Sequence, residues 1–83
     1  MARLQIVSVF DRALAAYLRP FMTPSLGVAV REFGAECKRP DSPLHQNPAD
    51  YALWKVGEFD DQTGAIIPCN PEAVEQASNY IEA

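Results

Sequence analysis

Two cysteines and one histidine are all that this 83-residue chain offers of the usual soft metal ligands. Cys37 and Cys69 stand 32 positions apart, with no Cys-x-x-Cys pair and no second histidine, so a zinc site of ordinary ligand spacing is not expected. Both read as small buried thiols of a reducing compartment, Cys37 on the apolar face of a helix and Cys69 at a strand end. No apolar run approaches the ~20 residues that span a bilayer, and polar residues interrupt the stretch "ARLQIVSVFD" where a signal peptide would stay apolar. The expectation is a soluble intracellular protein with no membrane partner. A phosphate-binding glycine loop is missing too, since Gly27 and Gly34 are single glycines in a helical pattern. His45 sits in a proline-rich loop without a nearby nucleophile and carboxylate. Together these absences point to a non-enzymatic protein with no metal and no cofactor.

What is present is ordinary globular composition, 48% hydrophobic and 22% charged. A chain this short forms one small domain, residues 1–83, and buries only about 60 to 65% of the surface it exposes when unfolded. The formal charge of −4 is unevenly spread. Residues 1–40 carry six bases against three acids, whereas residues 41–83 carry Lys55 alone against eight acids. Such halves attract each other, within one fold or across a subunit interface. A basic half can also follow a phosphate backbone while the acidic half faces away.

"LQIVSVF" (residues 4–10) is β-branched, aromatic and too short for a helix, hence a strand. Leu4, Ile6, Ser8 and Phe10 share one face and Gln5, Val7 and Val9 the other, so both faces are largely apolar. Asp11 can cap one or two helical turns before Pro20, or start an ordered loop. Thr23 followed by Pro24 signals a helix start, and Leu26, Val30, Phe33 and Cys37 make one apolar stripe, which predicts a helix over 24–38. Residues 38–50 hold three prolines and read as a loop, with a single turn started at Asn47-Pro48. Strands are expected at 51–59 and 65–69, the second at a sheet edge because Pro68 has no N–H for a ladder bond. Asn70 and Pro71 then suggest a C-terminal helix over 71–82.

That order, strand-helix-strand-strand-helix, predicts an α+β fold. It is a truncated ferredoxin-like (split βαβ) sheet, its first strand parallel to the strand at 51–59, the strand at 65–69 returning between the two, and both helices on one face. The first strand then lies at an edge although its residues suit an interior position. We therefore expect a homo-oligomer in which a second subunit covers the Leu4 to Phe10 edge.

The stretch "GEFDDQTG" (57–64) places two aspartates before Thr63-Gly64. A calcium loop needs alternating oxygen ligands and a distal bidentate Glu, which are absent after Gly64. Asp60 and Gly64 are instead the expected parts of a hairpin turn. The residues that carry binding chemistry are the mixed bases and aromatics Arg3, Arg12, Tyr17, Arg19, Phe21, Arg31, Trp54 and Lys55. Single-stranded nucleic acid is held by that combination, because any base can stack on an aromatic ring while cations neutralise phosphates. An open sheet face, as in RNA-recognition modules, would present them.

"LQIVSVFD", "RPF" leading into a helix with "AVREF", and "NPADYALWKVGEFDDQTG" resemble the small nonstructural protein of gokushovirus-type microviruses, phages with single-stranded DNA genomes. The resemblance runs over roughly residues 3–67, most specifically Pro48-x-Asp50-Tyr51-x-Leu53 and Gly57-x-Phe59-Asp60-x-x-Thr63-Gly64. It implies an early non-capsid phage protein of the host cytoplasm, an accessory to DNA binding or DNA replication, with no catalytic residue to carry over. Single-stranded DNA is the partner expected. The alternative is a protein-interaction module whose acidic hairpin and C-terminal helix engage a phage or host replication protein.

Overall fold

A computed structural model describes residues 3–80. Its elements are β1 (Arg3–Asp11), β2 (Ala16–Tyr17), β3 (Phe21–Thr23), α1 (Leu26–Cys37), α2 (Pro43–Gln46), β4 (Tyr51–Asp60) and β5 (Ile66–Gln76). Single 3₁₀ turns cover Pro48–Asp50 and Ala77–Tyr80. The expected strands β1 and β4 and helix α1 are met, whereas β2, β3 and α2 stand where turns or loop were expected, and the segment after Cys69 departs again.

The sheet is curled and antiparallel throughout, in the order β2-β1-β4-β5, with β3 pairing the outer side of β1 beside β2. The split βαβ arrangement is thus replaced: β1 runs antiparallel to β4, and no parallel crossover links them. The Leu4 to Phe10 edge is also occupied within the chain. Phe21–Thr23 pair with Gln5–Val7, Leu18 N donates to the Val9 carbonyl at 2.8 Å, and Tyr17 lies opposite Phe10. The interior character of β1 has this internal cause, so it requires no second subunit at that edge.

The predicted C-terminal helix is a strand over Pro71–Gln76 and a 3₁₀ turn over Ala77–Tyr80, while residues 81 and 82 of that prediction lie outside the described residues. A helix of some 12 residues is marginal without tertiary support. β4 meanwhile offers a ladder, and its edge away from β1 would be left open along Ala52, Leu53, Trp54 and Lys55 if β5 stopped at Pro68. Pro68 and Pro71 are both accommodated because β5 is the sheet edge, as Pro68 had suggested. Two register shifts between β4 and β5, one at Leu53/Trp54 and one at Lys55/Gly57, let the hairpin curl.

Helix α1 starts two residues later than expected. Ser25 is its N-cap, the hydroxyl accepting from Val28 N at 3.2 Å, whereas the Thr23 hydroxyl donates to the Ser25 carbonyl. The stripe Ala29, Phe33 and Cys37 packs on Val7 and Leu53, with Leu44 and Ala77 closing the core. α2 is tied beneath it by His45, whose Nδ1 donates to the Cys37 carbonyl at 3.0 Å. Val9, Tyr51 and Val74 flank this cluster, so it lies on one face of the sheet. Among the described residues, the opposite face carries no helix.

Candidate nucleic-acid interface

Side-chain alternation decides which residues reach the helix-free face. Leu53 points into the core, so its neighbour Trp54 points away, and cross-strand pairing places Ser8 beside Trp54 and Phe10 beside Ala52. Tyr17 reaches the same face because it lies opposite Phe10 in β2. The Phe10 and Tyr17 rings meet edge to face with centroids 4.9 Å apart, and Tyr17 meets Trp54 at 6.3 Å. Three aromatic rings are therefore contiguous, and Tyr17, 43% exposed, is the most accessible large ring among them.

Beside the rings is an open recess of about 240 Å³, lined by Phe10, Trp54, Arg12, Asp50 and Gln76 among others. Arg12 is held there by its backbone, its amide donating to the Asp50 carbonyl at 2.7 Å. The turn before Tyr17 is fixed by Asp11: one carboxylate oxygen accepts from Ala13 N at 2.9 Å and Leu14 N at 3.3 Å. Asp11 thus acts as the sequence suggests, but it caps a turn rather than a helix. Trp54 Nε1 is buried and finds no acceptor among the described residues. Chemically, the arrangement offers flat apolar faces and one guanidinium around a shallow cleft whose lining also includes the acidic Asp50.

The eight residues singled out in the sequence separate into groups. Trp54 and Arg12 line the recess, and Tyr17 lies beside it against the Trp54 ring. Arg19, exposed, follows Tyr17 by two residues in the loop to β3. Phe21 lies opposite Val7 and so belongs to the helix side of the sheet, at its margin. Lys55 and Arg3 also leave the group. Lys55 Nζ donates to Glu58 at 2.8 Å, and Arg3 donates to the other oxygen of the same carboxylate at 3.2 Å. The Lys55 hydrogen bond, followed by that of Arg3, holds the Glu58 carboxyl below its ordinary range, and the same Glu58 bond raises Lys55. Their charges are engaged inside the sheet surface. Arg31 stands on the outer side of α1, remote from the aromatic rings in the topology.

Phe10 and Gln76 join the cleft without having been singled out. Phe10 was legible, since it shares the face of Ser8 in the alternating pattern; Gln76 was hidden by the helix assigned to its segment. The acidic hairpin is structural, as expected. One oxygen of Asp60 accepts from Gln62 N at 2.9 Å and Thr63 N at 3.3 Å, and Gly64 takes φ +77°. The Gln62 amide bond chiefly lowers the Asp60 carboxyl below its ordinary value.

Neither comparison with curated proteins nor comparison with solved structures gave a match. A family model described as "Phage ORF5 protein" matches residues 4–80, from the second residue of β1 to the last of the closing 3₁₀ turn. The match spans nearly the whole chain, including every strand that builds the aromatic cleft, and the chain belongs to the Phage ORF5 protein family.

Proposed function

We propose that this phage accessory protein is non-enzymatic and binds single-stranded DNA on the helix-free face of its sheet, in the host cytoplasm. The observation that carries the reading is the contiguity of Phe10, Tyr17 and Trp54 beside Arg12. Base stacking on aromatic rings contributes about 1–3 kcal/mol per base and tolerates any sequence. Arg12 and Arg19 supply phosphate neutralisation from a segment, residues 12–23, that contains no acid. Such binding suits genome replication, or the switch from duplex replication to single-strand production, in a gokushovirus-type microvirus. The acidic hairpin, at the far end of the sheet, keeps the strand from spreading there.

Fluorescence anisotropy of a labelled thymidine oligonucleotide at several salt concentrations tests the reading. Binding should weaken as salt rises, with log K falling by about 0.7 per log unit of salt for each phosphate neutralised on a single strand. Tyr17→Ala should weaken binding by about 1–3 kcal/mol while preserving the salt slope. No binding at low ionic strength, or a slope of zero, contradicts the proposal.

A further inference from the structure

A second feature lies away from the aromatic cleft. On the outer side of α1, Val30, Gly34, Ala35 and the Tyr80 ring line an open, mainly apolar groove of about 460 Å³, flanked by Arg31 and Lys38. Neither of these cations makes an ion pair among the described residues. Gly34 keeps the groove open beside Tyr80, for a Cβ there would come within 2.8 Å of the ring. At the other end of the molecule, the β4-β5 hairpin carries Asp61, exposed and without an ion pair, and Ile66, which is 64% exposed. An apolar groove with free cations and a hairpin end bearing an exposed isoleucine and a free carboxylate are complementary in both respects. They cannot meet within one chain. The tip lies roughly 25 Å along the strand from Leu53, which packs beneath α1, in a molecule whose long dimension is 44 Å.

We propose that the groove receives the acidic hairpin of a second copy of this chain. The contact is heterologous, head to tail, and therefore builds open chains or rings rather than a closed two-fold dimer. A hairpin tip in a groove buries less than a standard interface, so free copies associate weakly. Copies brought onto one strand would gain from effective concentration, giving cooperative coverage without new contacts. The self-association does not depend on the nucleic-acid reading, because it is measured without DNA.

Sedimentation velocity of the free protein at low ionic strength, over a rising concentration series, is the test. Wild type should show a mean sedimentation coefficient that climbs with concentration and falls back when salt is added. Asp61→Lys and Arg31→Glu, both at exposed positions, should each sediment as a monomer with unchanged circular dichroism. An equimolar mixture of the two should associate again, since the Lys-bearing tip of one variant then faces the Glu-bearing groove of the other. A wild type that stays monomeric throughout overturns the proposal and leaves the groove to the acidic segment of another protein. So do variants that associate as wild type does, or a mixture that fails to recover.

Discussion

At Gly57 the two strands of the hairpin approach so closely that a Cβ would sit 2.7 Å from the Ile67 carbonyl oxygen, a backbone atom that moves only with the ladder. Gly57→Ala should therefore destabilise the protein by about 1–3 kcal/mol, measured by urea denaturation. Ala15 is the reverse case. It is the one non-glycine residue with positive φ among those described, at 55°, and Ala15→Gly should leave stability unchanged or raise it by up to about 1 kcal/mol. Cys37 is fully buried, and burial, with Glu36 and Glu75 adding to it, pushes its thiol up to about 11. Alkylation at pH 8 should therefore label the partly exposed Cys69 first and reach Cys37 only on unfolding, as peptide mass analysis will show. Roles set by local backbone chemistry were legible at this scale: Asp11, Asp60 and Gly64 all act within three or four residues of themselves. Gly57 was not, because its constraint comes from a carbonyl ten residues away on the other strand.

Among elements, α1 and the β4-β5 turn were legible because apolar periodicity and turn residues act over short spans. Both failures concern pairing at long range. β1 is an interior strand because β4 pairs with one of its edges and β2 with β3 pair with the other, and no local pattern says which strands those will be. The segment after Asn70 has helix-start residues, yet β4 needs a partner along its first half, and the ladder outweighs a short helix. Its consequence for the site is direct, since only the strand brings Gln76 to the cleft. Hydrogen exchange should follow the same logic. The amides of Val7 and Leu53, buried and paired inside the sheet, should exchange slowest, and those of Arg19 and Asp61, exposed and making no hydrogen bond among the described residues, fastest.

The whole molecule separates its charges by place as well as by sequence. Arg12 and Arg19 border the aromatic rings, Arg31 and Lys38 border the groove, and the acids gather along the β4-β5 hairpin. Several of those acids stabilise the fold. Glu58 is held below its ordinary value by Lys55 and Arg3, and Glu75 by Asn79 and the Gln76 amide. A carboxyl whose folded pKa is depressed contributes its stability above the unfolded value and loses it as pH falls through the folded one. The melting temperature should hold from neutral pH down to about 4.5, the ordinary value of these glutamates, and decline below it. The site itself was half legible: composition named Tyr17, Trp54 and Arg12, while Lys55 and Arg3 were removed by a shared glutamate that spacing alone does not reveal.

Trp54 is the single tryptophan of the chain and lines the recess, so its fluorescence reports on this cleft and nothing else. Titration of the protein with a thymidine oligonucleotide at low ionic strength should quench that emission. The quenching should reverse as salt is added, and Arg12→Ala should reduce the salt slope by about 0.7. Emission that stays constant up to a large excess of oligonucleotide would contradict binding at the helix-free face.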